Sequence, residues 1–138
     1  MATSLNLKSI LVPSKSVEVE YPGMPGFKIE VSFLSRETLL GIRKNSTKST
    51  FKGRQVVEEL NEDAFLELYV ESSIKGWKGL KLSYVEQLVP VDLSGHTNLE
   101  ETLDYSKDNA LMLMKNSGDF DSFISNTVSD LGKFTKTK

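Results

Sequence analysis

The chain has 138 residues, 38% hydrophobic and 26% charged, with a net charge of −2 and no cysteine. This length and balance suit a single folded domain able to bury its own core, and they exclude a disordered chain. The missing cysteines exclude disulfides, thiolate metal sites and thiol catalysis, and an acidic majority argues against a broad nucleic-acid surface. The charge is unevenly spread. Residues 1–60 carry nine Lys/Arg and six Asp/Glu, residues 61–130 carry five and thirteen, and the last eight residues add three lysines.

The N-terminus lacks a basic stretch followed by an apolar run, and no apolar run reaches the ~20 residues that span a bilayer, which points to a cytoplasmic protein. Residues 1–15, with Leu5, Leu7, Ile10, Leu11 and Val12 before Pro13, read as an N-terminal arm or short strand. Val17–Tyr21 and Phe27–Phe33 both alternate apolar and polar residues, and the intervening Pro-Gly-Met-Pro-Gly is a turn signal. Together they predict a β-hairpin. Ser35 then reads as a helix N-cap with Glu37 in the first turn, and the helix runs to about Lys44. Residues 45–50 read as a polar linker, and Gln55–Leu60 as a third strand or extended chain.

Asn61 caps the next predicted helix, with Glu62 and Asp63 in its first turn. Most of its faces are apolar, and the stripe Asp63, Glu67, Glu71 and Lys75 is expected to meet water. That helix leads into Tyr69–Leu80, which holds the only tryptophan, Trp77, between Gly76 and Gly79. The expectation is a helix stopping at Gly76, positive φ at the glycines, and an indole turned back over the core. Leu80–Leu88 reads as a short helix or turn before Pro90, and Val91–Leu103 as an exposed loop. Ser106 caps a helix from Lys107 that ends at Asn116–Gly118. The last helix sets Phe120, Phe123, Ile124, Thr127, Val128 and Leu131 at helical spacing, with Gly132 as its stop. A basic tail, 132–138, follows. The predicted fold class is α+β: an N-terminal β-hairpin packed on a mainly helical body with two C-terminal helices, in one domain spanning 1–138.

Reactive constellations are absent from this reading. His96 lies alone in a Ser-Gly-His-Thr-Asn loop, without a second histidine for a metal. A Ser-His-Asp arrangement would need Asp92 and a distant serine, and no nucleophile elbow is present. No phosphate loop, dinucleotide fingerprint or calcium loop occurs. No catalytic, metal or cofactor residue is assigned. Residues 36–54 hold six Lys/Arg against one Glu. A phosphate-contacting patch is conceivable, but aromatic interleaving is limited to Phe51, and a solvated helix end and linker is the simpler reading. Ala110–Met114 is apolar all round, so that helix is either deeply buried or covered by another protein. Methionines suit adaptable partner grooves, although core packing is their commoner role.

Three stretches carry a family resemblance: Phe33–Lys44 after the hairpin, the acidic helix through Tyr69–Leu80, and Tyr105–Leu111 followed by Phe120 and Phe123. In order and spacing, over about residues 16–131, the chain resembles the tail assembly chaperones of long-tailed bacteriophages. The resemblance implies a non-enzymatic protein of the host cytoplasm, without cofactors. Such a protein binds the tape-measure protein, keeps it soluble, promotes tail-tube assembly around it and is absent from the mature virion. It further implies self-association, no membrane contact, and a longer frameshifted form through which the major tail tube protein is met. Leu131-Gly132-Lys133 is compatible with a slippery codon pair, while the basic tail departs from the family pattern. Candidate partner-binding residues are Leu111, Met112, Met114, Phe120 and Phe123. Competing readings are another phage tail morphogenesis or virion structural protein and, further off, a small nucleic-acid-binding module; an enzyme ranks last.

Overall fold

Both alternating segments form strands because each can bury one face and solvate the other. In the computed structural model, which describes residues 6–7 and 15–130, β1 (Ser16–Glu20) and β2 (Lys28–Ser32) pair antiparallel, with Val17 opposite Val31 and Val19 opposite Ile29. Phe27, Ile29 and Val31 are fully buried, while Glu18, Glu20 and Glu30 face solvent. Ser35 caps α1 (Arg36–Asn45) by accepting from the Thr38 amide at 3.1 Å. Asn61 caps α2 (Glu62–Ser73) by accepting from the Ala64 amide at 3.1 Å.

Gln55–Leu60 is a strand, one of its two expected readings, but residues 45–50 are not a linker. β3 (Thr47–Lys52) and β4 (Gln55–Leu60) form a second antiparallel hairpin, separate from the first sheet. β3, Thr-Lys-Ser-Thr-Phe-Lys, has a single apolar residue, so hydrophobic alternation gave it no signal. Gly53, with φ +68°, opens the hairpin's two-residue loop, where an ordinary side chain would be strained.

A second correction concerns Tyr69–Leu80. The helix stops at Ser73, not Gly76, and the chain enters β5 (Ile74–Lys78) at once. β5 lies antiparallel on the free edge of β2, giving the order β1-β2-β5, with Trp77 opposite Ile29. Pairing satisfies the outward N–H and C=O groups of β2, a demand set by the sheet and invisible to local propensity. Only Gly79 of the two glycines has positive φ, at +75°. A Cβ there would collide with the Gly26 carbonyl, so the hairpin loop and the strand end meet backbone to backbone. Trp77 does turn to the core: its ring meets Phe27 and Tyr105 edge-on, at 6.4 and 5.1 Å between centroids. Its Nε1–H donates to the Leu103 carbonyl at 3.0 Å.

α3 (Leu82–Leu88) follows, and the chain through Leu99–Leu103 is pinned to it. The Leu82 amide donates to Glu101 and the Leu103 amide to Leu80, at 2.8 and 2.7 Å. Ser106 caps α4 (Lys107–Asn116) through the Asn109 amide, at 3.0 Å. Ser117 ends α4 and also caps α5 (Gly118–Val128), accepting from the Phe120 amide at 3.1 Å. α5 buries Phe120, Ile124, Thr127 and Val128 against the sheet, and the Leu34 amide closes on the Val128 carbonyl at 3.0 Å. The helical stripe is therefore as expected, although the helix ends at Val128. Leu131, Gly132, the basic tail and most of the N-terminal arm lie outside the described residues. The fold class is α+β.

The acidic stripe of α2 does not simply face water. Lys107 of α4 bridges Glu67 and Glu71, at 3.2 Å each, and Lys115 reaches Asp63 at 3.7 Å. These pairs are exposed and screened by solvent, so they add little stability, but they span the contact between α2 and α4. α2 is also less enclosed than its composition suggests, with only Val70 and Ser73 fully covered.

Candidate partner-binding groove

α4 presents its residues on two faces. Ala110, Leu113 and Met114 turn inward at helical spacing, buried where α4 packs on α2 and α5. Asn109, Met112, Leu113 and Asn116, at i, i+3, i+4 and i+7, line one wall of an open groove of about 380 Å³. The facing wall comes from the end of α3 and the chain beyond it: Val85, Val89, Pro90 and Val91, with Leu103 between. Met112 is 56% exposed and Val91 42% exposed, so two large apolar side chains stand at the rim of an apolar floor.

Polar groups mark the ends. The Asn109 amide donates to the Asp104 carbonyl at 3.0 Å, and that of Asn116 to the Met112 carbonyl at 2.8 Å. Both Nδ2 groups thus serve their own chain, and what the groove offers a partner is apolar area. Covering a methionine of this size stabilises a complex by about 1.5–3 kcal/mol. The dimensions suit one or two apolar side chains from a partner helix, entering as a ridge enters a groove.

The five residues singled out from sequence separate sharply here. Phe120 is fully enclosed and Met114 is 5% exposed; both are core residues, and no partner reaches them without opening the fold. Leu111 and Phe123 are half-buried against the same core, Phe123 tilted on Tyr21 at 4.8 Å between centroids. Met112 alone lies in the groove. The opposing wall went unread: Val89-Pro90-Val91 sits where proline forbids a helix, and apolar residues in exposed chain are the signal that marks it.

Chemistry elsewhere is sparse. His96 Nδ1 is 3.9 Å from Glu101 and makes no pair with Asp92, whose carboxylate instead accepts from the Ser94 amide at 3.0 Å. The Ser94 hydrogen bonds hold Asp92 below the usual carboxylate range. Burial pushes the Tyr21 and Tyr69 hydroxyls above the ordinary tyrosine range, with Asp119 and Asp121 adding to the rise. Both therefore stay neutral near pH 7 and act as packing groups. Among the described residues, no cluster of His, Cys, Asp or Glu is arranged to hold a metal ion, and no helix is long and apolar enough to cross a membrane.

No family model, curated protein or solved structure matches the chain.

Proposed function

We propose that this chain is a non-enzymatic assembly chaperone of a long-tailed bacteriophage. It keeps the tape-measure protein soluble in the host cytoplasm, promotes tail-tube assembly around it, and leaves the particle before completion. The observation that supports this reading best is the groove between α3 and α4, mainly apolar and open, with Met112 and Val91 exposed at its rim. A long, helix-rich client offers apolar ridges at regular intervals, and many chaperone copies side by side would cover it, so self-association belongs to the same proposal. The tail tube protein is met through a longer frameshifted form.

Co-expression with a tape-measure protein encoded beside this chain tests the reading. The intact chaperone is expected to hold the client in the soluble fraction. Met112→Asp is expected to lose most of that effect while melting within a few degrees of the parent, because an exposed change costs about 0.5 kcal/mol or less. A soluble client with the aspartate variant would sink the groove. Mass spectrometry of purified particles decides between a departing chaperone and a virion subunit: peptides from this chain in mature tails would favour the latter.

A further inference from the structure

The β3–β4 hairpin stands apart from the core. All its residues except Thr47 and Val57 are exposed, including Phe51 at 79% and Val56 at 60%. A lone two-stranded hairpin gains little stability from itself, so its charge pattern is informative. Lys48 and Lys52 lie on one face of β3, opposite Glu59 and Gln55 of β4. Lys52 Nζ takes the Glu59 carboxylate at 3.0 Å, so two lysines share one acid. Arg43 and Lys44 of α1 add no charge to that lysine face: they lie beside Thr47, Ser49 and Glu58, which alternate with it, and make no described ion pair. On the opposite face Phe51 meets Val56 across the strands. Among the described residues, β3 receives backbone hydrogen bonds from β4 alone, and its other edge carries no strand.

We propose that the free edge of β3 docks an extended polypeptide strand with carboxylates on one face and apolar residues on the other. β4 itself shows the pattern that β3 accepts: glutamate against lysine and valine against phenylalanine. An added strand would place a carboxylate beside Thr50, between Lys48 and Lys52, and supply the missing counter-charge. Its alternate residues would cover Phe51. Main-chain hydrogen bonds give such an arrangement its affinity and the side-chain alternation its selectivity. Nucleic acid fits less well, because Glu58 and Glu59 on the neighbouring strand repel phosphates.

The probe is a fluorescein-labelled peptide, acetyl-Glu-Val-Glu-Leu-Glu-Val-Glu-amide, titrated by anisotropy against the full chain. Saturable binding is expected, weakening strongly between about 50 mM and 500 mM salt. Lys48→Glu, which sets a charge of the peptide's own sign against its glutamates, should weaken it about tenfold. The same peptide with lysine for glutamate should not bind. Amide shifts in the labelled protein should cluster on Thr47–Lys52, which keeps the result readable if the variant frays. Equal binding of both peptides, shifts confined to the Met112 groove, or tighter binding of duplex DNA would each overturn the proposal. Failure here leaves the α3–α4 groove untouched, since the two surfaces share no residue.

Discussion

Gly76 and Gly79 are three positions apart and are held by different constraints. At Gly79 the backbone has φ +75° and the space for a Cβ is filled by the Gly26 carbonyl. A backbone atom cannot move aside as a side-chain end can. Gly79→Ala is therefore expected to destabilise by about 2–4 kcal/mol, from left-handed strain plus the clash. Gly76 has ordinary φ and no atom within 4 Å of a built Cβ. Gly76→Ala should stay within about 0.5 kcal/mol of the parent, or gain slightly, because alanine loses less entropy in a strand. Urea denaturation of the pair checks the contrast, and equal losses would mean that the Gly26 contact is not the cause.

At the scale of elements, capping chemistry decides where most helices begin. Ser35, Asn61 and Ser106 each accept a hydrogen bond from the third amide onward, as their residue types foretell. Ser117 differs because it is 3% exposed and stands at two helix ends at once. Its hydroxyl satisfies the buried Phe120 amide, so no water can substitute. Ser117→Ala should cost about 1–2 kcal/mol, more than Ser106→Ala at an exposed cap, since the orphaned amide stays desolvated. Thermal melts of both variants measure the difference, and a smaller loss at Ser117 would refute the double role.

Across the whole molecule, stability is concentrated on one side. The sheet β1-β2-β5, α4 and α5 share the buried cluster around Phe27, Ile29, Ile74, Leu80, Phe120 and Ile124. The β3–β4 hairpin contributes no residue to it. Amides of β3 and β4 should therefore exchange with solvent about 100-fold faster than those of β2, through local opening that leaves the rest folded. Hydrogen exchange followed by mass spectrometry tests this, and equal protection would show the hairpin anchored by contacts beyond its own ladder. Such a weakly held hairpin suits a docking element, because an incoming strand can complete its order.

Local chemistry in the sequence determined a good deal: the alternation of the first hairpin, the caps at Ser35, Asn61 and Ser106, the amphipathic stripe of α5 and the α+β class. These follow from side-chain spacing and from bonds made within a few residues. The tertiary structure alone decided the rest. Ile74–Lys78 is a strand because β2 had an open edge to satisfy, although the sequence around Gly76 reads as a helix end. Thr47–Lys52, with one apolar residue, hides its period and is a strand because it pairs with Gln55–Leu60. In α4, Met114 and Met112 look alike in sequence, yet they meet different environments, one buried where α4 packs on α2 and α5 and one left open opposite Val91. Which face of an all-apolar helix remains free depends on how many neighbours pack around it, and that number is set by the assembled fold.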